Sequence, residues 1–201
     1  MGTRGFIDLT AQGDSVVVYN HFDSYPSALG VNMLAWARTL ADDASRSAAA
    51  GAIDSMRAVE DGRDVPTSED IERLRPWTNG GVGAPSGAVP SWYQLTRETQ
   101  GDPAAILAAG VYEDASEFPA DSLFAEWGYT VDLDKGVFEV YEGFQKSPHD
   151  LGRYADLVVT REYSHGNYFP VALRASWPLD ALPNQDAFMA ALTDDYEPEE
   201  D

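Results

Sequence analysis

Residues 3–9 and 15–19 are two short apolar runs that read as strands, and Gln12-Gly13-Asp14 between them is a turn cluster. Two strands joined by so short a turn predict a hairpin. The run Val16-Val17-Val18 has no polar alternation, which predicts a strand covered on both faces. After Pro26 the period changes. Leu29, Met33, Trp36, Ala37 and Leu40 recur at the spacing of one helical face, and Ser27 is a good N-cap, so a helix is predicted over 28–41. A weaker face through Ile53, Met56 and Val59 predicts a second helix over 44–60. Thr67 with Asp70 three residues on has the form of a capping box, and Ile71 and Leu74 follow it, which predicts a short helix over 68–75.

Residues 78–90 are rich in Gly and Pro and read as an irregular loop, a candidate lid or insertion. Gly81 and Gly83 lack the strand-then-helix context of a dinucleotide fingerprint. A short helix is expected over Trp92–Thr99. Asp102 as N-cap, Pro103 at the first helical position and Gly110 just past the end predict another over 103–109. The clearest hairpin lies within 123–144. Trp127, Tyr129, Val131 and Leu133 alternate with polar or small residues, Asp134-Lys135-Gly136 turns, and Val137–Tyr141 returns. Phe169 to Ser176 reads as a further strand, with Pro170 pushing it to a sheet edge. Asp186 to Leu192 closes with a helix whose apolar side is Leu192 with Met189, Ala187 or Phe188. The expected fold is therefore α+β: a largely antiparallel sheet of hairpins with helices packed on it, one domain over residues 1–193. The last eight residues, 194–201, hold six acids and a proline, which is the composition of an acidic disordered tail.

Composition narrows the chemistry. The absence of cysteine from all 201 residues excludes disulfides, thiolate metal sites and a cysteine nucleophile. No window approaches the apolar length of a membrane span, and the N-terminus lacks a signal-peptide layout, so the expected location is cytoplasmic. Gly2 does not open a myristoylation motif, because Phe6 stands where that motif needs Ser or Thr. A net charge of −21 opposes direct binding to nucleic-acid phosphates or anionic lipid; it reads as a solvated acidic surface or an adaptation to high salt, or else as a mimic of nucleic acid that meets a basic protein surface. The charge is uneven: residues 1–40 hold three acids and two bases, whereas residues 81–201 hold 22 acids and six bases.

The nearly neutral N-terminal segment carries the densest polar chemistry, Tyr19-Asn20-His21-Phe22-Asp23-Ser24-Tyr25-Pro26. His21 and Asp23, two apart on an extended segment, would share one side of a strand and could poise a general base. The alternative is that they cap a strand-to-helix turn, with Tyr19 and Tyr25 as packing residues. His21, His149 and His165 could in principle bind a metal, but their spacing matches no standard ligand set, so no metal and no cofactor is expected. Arg4, Asn20, His21, Asp23 and Tyr25 are the candidate ligand-binding residues. Thr3, His21 and Asp23 are the candidate catalytic ones. There is no Gly-x-Ser-x-Gly elbow.

The opening Met1-Gly2-Thr3-Arg4-Gly5, the 19–26 segment with Leu29-Gly30, and the later Trp127–Leu133 and Phe138–Tyr141 runs resemble an uncharacterised family of actinobacterial phages and their hosts. Ala28 stands where members commonly carry Gly. The resemblance covers most of the chain and implies kinship, a phage-encoded protein acting in a host cytoplasm, with no activity attached. A more distant likeness is to the N-terminal nucleophile hydrolase fold, in which a strand starts at the nucleophile. Removal of Met1 would expose Gly2, which has none, and Thr3 would serve only if Gly2 were also lost. The leading expectation is a non-catalytic binding protein acting on a host or phage factor or on a small ligand. The alternative is an amidohydrolase-like enzyme.

Overall fold

The structure is a computed structural model that describes residues 2–78, 89–159, 163–164 and 166–193. The predicted tail at 194–201, most of the Gly/Pro loop at 78–90, and His165 lie outside the described residues.

The fold is α+β. A mostly antiparallel five-stranded sheet is accompanied by a small two-stranded parallel one. The chain opens with β1 (Gly5–Ala11) and β2 (Asp14–Asn20), paired antiparallel from Gly5↔Asn20 to Ala11↔Asp14. Gln12 and Gly13 form the two-residue turn with positive φ of 55° and 85°, the twist that suits a tight hairpin. The Asp134 carboxylate accepts both their backbone N–H groups, at 2.7 and 2.9 Å, and is held below the usual carboxylate range by those bonds. As predicted, Val16, Val17 and Val18 are all buried.

A single π-helical turn, Pro26–Gly30, leads into α1 (Val31–Arg38). The predicted face is real, since Leu29, Met33, Ala37 and Leu40 are buried. Next comes α2 (Asp43–Asp54), capped reciprocally by Asp42 and Ser45. The helix expected to run to residue 60 stops at Asp54. Residues 57–59 form β3 (Arg57–Val59), whose Val59 is buried on a different core. β3 pairs in parallel with β4 (Val111–Glu113). Three-residue strands are too short to show a period, so sequence pattern could not separate them from helix or loop.

The capping box at Thr67 and Asp70 starts α3 (Ser68–Leu74). Then come α4 (Trp92–Thr96), continued by a 3₁₀ turn over 97–99, and α5 (Pro103–Ala109). Asp102 caps α5, and Gly110 ends it in the left-handed conformation at φ 67°, which glycine adopts without steric cost. The predicted second hairpin is β5 (Trp127–Asp132) and β6 (Val137–Glu142). β7 (Ala172–Pro178) is an edge strand, as Pro170 suggested, and α6 (Gln185–Thr193) closes the fold on Phe188 and Leu192.

The sheet order is β2-β1-β5-β6-β7, with β1 and β5 parallel and the other pairs antiparallel. Alternation sorts the side chains into two faces. One face (Ile7, Leu9, Val16, Val18, Tyr129, Val131, Phe138, Val140) packs on α1, α2, α5 and α6. The other starts from Phe6, Val17 and Tyr141 and is covered by Ala125, Tyr154 and Val171. Gly128 sits on this second face beneath the Phe6 ring. A Cβ there would lie 2.1 Å from a ring carbon, so only glycine lets the aromatic lie flat on the strand. Among the described residues, no helix is long and apolar enough to cross a membrane.

Candidate functional site

The second face of the sheet carries two arginines in opposite circumstances. Along β1 and β5, Asp8, Thr10, Thr130 and Asp132 project on the same side as Phe6. Arg153, from the loop between β6 and β7, reaches over them. Its guanidinium lies 2.6 Å from Asp132, 2.7 Å from Glu139 and 4.0 Å from Asp8, and donates to Thr10 Oγ1 at 3.3 Å. Asp8 in turn accepts from Ser15 Oγ (2.6 Å) and Tyr154 Oη (2.5 Å). Burial pushes the Asp8 carboxyl above its ordinary pKa, against the pull of Ser15, Tyr154, Arg153 and Thr10. Burial also works against the Arg153 charge, but Glu139, Tyr154, Asp132 and Asp8 more than compensate and raise its pKa. Tyr141 and Tyr154 are raised as well, first by burial and then by the neighbouring carboxylates. This saturated network holds the 149–157 loop on the sheet. His149 serves the same loop: its Nδ1 accepts from Leu151 N–H, which places the ring proton on Nε2, 2.8 Å from the Pro170 carbonyl.

Towards the other end of β1, where the chain enters the strand, a cleft of about 1000 Å³ opens. Arg4 leads into β1, and Tyr19 and His21 come from the end of β2, so one antiparallel register brings all three together. Phe118 and Phe124 add aromatic walls, with the Phe118 ring edge-on to Tyr19 at 5.0 Å. The Arg4 guanidinium lies over Phe124, 4.7 Å from the ring centroid. Its backbone is clamped: Arg4 N–H donates to Glu126 Oε1 and Glu126 N–H donates to the Arg4 carbonyl, both at 3.1 Å. Tyr19 Oη and His21 Nδ1 are 2.8 Å apart, and His21 N–H donates to Gln100 Oε1 at 3.2 Å. Burial raises the Tyr19 pKa, while the Arg4 charge opposes that rise. The remaining wall among the described residues is acidic: Glu60, Asp64, Asp114, Glu117 and Asp121 line it together with Arg63.

The candidate residues divide. Arg4 and His21 line the cleft, whereas Asn20, Asp23, Tyr25 and Thr3 are not among its lining residues. The expectation that His21 and Asp23 share one strand side fails, because β2 ends at Asn20 and Asp23 turns into the left-handed region at φ 54°. The His21 ring is oriented by Tyr19, and no hydrogen bond joins it to Asp23 among the described residues. Buried Asn20 instead builds the turn, its side-chain amide donating to the Phe22 carbonyl (2.5 Å) and to Ser24 Oγ (2.7 Å). Ser24 N–H donates to the Thr3 carbonyl (3.1 Å), and Tyr129 Oη donates to the Ser24 carbonyl (2.8 Å). Leu29 N–H donates to the Asp23 carbonyl (3.1 Å). Most of the polar segment is therefore strand-to-helix engineering, and only its first half faces the cleft. The three-histidine arrangement has no geometric support: both His149 ring nitrogens are occupied, and His165 is outside the described residues. Among the described residues no group of three or more His, Asp or Glu is placed to hold a metal ion.

Sequence reasoning passed over Tyr19 as a packing residue and missed Phe118, Phe124 and the acidic wall. These come from three separated segments, 58–64, 114–118 and 121–124, none with a spacing signal of its own. No family model, no curated protein and no solved structure matches the chain.

Proposed function

We propose that this chain is a non-catalytic binding protein whose cleft takes a small ligand beside Arg4, Tyr19 and His21. The observation that carries the proposal is the state of Arg4. Among the described residues its guanidinium makes no ion pair and no hydrogen bond. Every other described arginine has at least one such partner, such as Asp70 for Arg57, Leu40 O for Arg46 and Glu142 for Arg174. In a chain of 34 acids and 13 bases, a cation kept from carboxylates inside a cleft is in the position of a ligand contact. The setting we propose is a host cytoplasm, with the chain phage-encoded, and the acidic exterior offers a second surface to basic partners.

The hydrolase reading draws on the Tyr19–His21 pair, which has the form of a base with its orienting group, and on a scaffold like that of the N-terminal nucleophile hydrolases. It is the weaker reading, because Thr3, the nucleophile it needs, is not among the residues that line the cleft.

The test is a titration of ¹⁵N-labelled protein with the low-molecular-weight fraction of a bacterial extract. The expected result is signal shifts clustered at Arg4, Tyr19 and His21, abolished by Ala58→Trp, which fills the cleft from an exposed position on β3. An extract that moves none of these signals overturns the proposal.

A further inference from the structure

Resting on the cleft reading above, we infer the chemical class of the ligand: a zwitterion of amino-acid or short-peptide type, its carboxylate on Arg4 and its cationic part towards the acidic wall. Three observations converge. The first is that the Arg4 guanidinium lies on an aromatic ring and, among the described residues, is unpaired. Phe124 lies beneath it at 4.7 Å, and Glu126 Oε1 accepts the Arg4 backbone N–H. A planar guanidinium with its donors free and its backbone clamped is shaped for a two-oxygen anion, since it can bind both oxygens at once. The second is the Tyr19–His21 pair beside it. Among the described residues each partner has one more polar position without a hydrogen bond, the Tyr19 oxygen and the His21 Nε2, to meet the atoms adjoining a carboxylate.

The third observation is the charge of the rest of the lining. Among the described residues five carboxylates line the cleft beside Arg4 and Arg63, and Arg63 is already paired with Glu60. Asp121 Oδ2 accepts from Tyr163 Oη at 2.6 Å, and Asp114 accepts from the backbone and hydroxyl of Ser116, so these acids are held in place. A polyanion such as a nucleotide would meet this wall with like charge. A single carboxylate satisfies Arg4, and an amine or guanidinium on the same molecule turns the wall from repulsive to attractive. A cleft of about 1000 Å³ has room for a peptide of a few residues.

The probes are trilysine with a free carboxylate, the same peptide as its C-terminal amide, and tripolyphosphate. Each is titrated into the full chain at low ionic strength, by calorimetry and by ¹⁵N chemical shift. Trilysine is expected to move the Arg4, Tyr19 and His21 signals, and the amide to bind about tenfold more weakly, the loss of one charge-assisted contact. In Arg4→Gln the acid and the amide bind alike, and Arg4→Lys restores part of the preference. Equal binding of acid and amide to the wild-type protein, with cleft signals moving, overturns the carboxylate assignment and leaves the cleft reading standing. Tripolyphosphate binding more tightly than trilysine at the cleft overturns the charge argument. Cleft signals that respond to the extract but to neither peptide overturn the zwitterion class alone. Silence towards extract and peptides together defeats both proposals.

Discussion

Arg4 and Arg153 belong to the same side of one sheet, yet one guanidinium is surrounded by Asp8, Asp132 and Glu139 while the other lies over the face of Phe124 and has no ion pair among the described residues. The difference teaches how an acidic chain separates structure from recognition. Arg153 sits over the middle of β1, β5 and β6, where alternate positions on adjacent strands converge on one point and every carboxylate finds the same cation. Arg4 sits just before β1 begins, where strand pairing ends and the neighbouring acid is turned to the backbone. A cation 17 % exposed that bridges three acids, with Asp8 and Asp132 buried, is an anchor, costly to remove because those carboxylates would remain behind uncompensated. A half-buried cation stacked on an aromatic ring can be removed with little effect on folding, and its free donors are available to a ligand.

The comparison breaks most visibly at the anchor. Arg153→Met should lower the free energy of unfolding by about 3–5 kcal/mol, because it strands buried carboxylates. Urea denaturation measures this, and a loss within experimental error would mean the network is ornamental. A pH series sharpens the picture next. The raised pKa of Asp8 means that the folded state holds its proton more tightly than the unfolded chain. The stability this contributes is fully present below the ordinary carboxylate pKa and is lost as pH rises through the raised value. Wild-type protein should therefore lose stability relative to Asp8→Asn over that window, at up to about 1.4 kcal/mol for each unit of separation between the two pKa values. Parallel stability–pH curves for the two proteins would show that Asp8 is not displaced upward. Asp70 provides the opposite sign. Burial raises it, but the Thr67 bonds and Arg57 prevail and lower it, so its contribution is lost as pH falls through the lowered value. The smallest effect is expected at the cleft. Arg4→Gln should change unfolding free energy by no more than about 1 kcal/mol, the scale of a cation–π contact at a partly exposed site. A loss as large as that at Arg153 would make Arg4 a structural residue and remove its role as a receptor.

Much of the fold could be read along the chain. The two hairpins, the capping box at Thr67 and Asp70, and the cap, Pro103 and Gly110 of α5 are local signals whose physics is complete within a few residues. The misreadings lie where local and distant forces compete. Helix α2 was expected to include Met56 and Val59, but pairing with β4, more than fifty residues on, takes 57–59 into a strand. The candidate site was half legible. The segment from Tyr19 to Tyr25 drew attention to the right corner, but density of polar residues does not distinguish those that face a cleft from those that tie a turn. Asn20 and Ser24 belong to the turn, whereas Arg4, Tyr19 and His21 face the cleft.

By itself the amino-acid sequence determined the five strands of the main sheet, most helices and the excess of acid, because periodicity, caps and charge act over short range or by simple count. Only the tertiary structure decided that β1 pairs in parallel with β5, that Arg153 meets three carboxylates, and that Arg4 meets none among the described residues. Those outcomes depend on which distant strands lie side by side, and an ion pair forms between neighbours in space, whatever their separation along the chain.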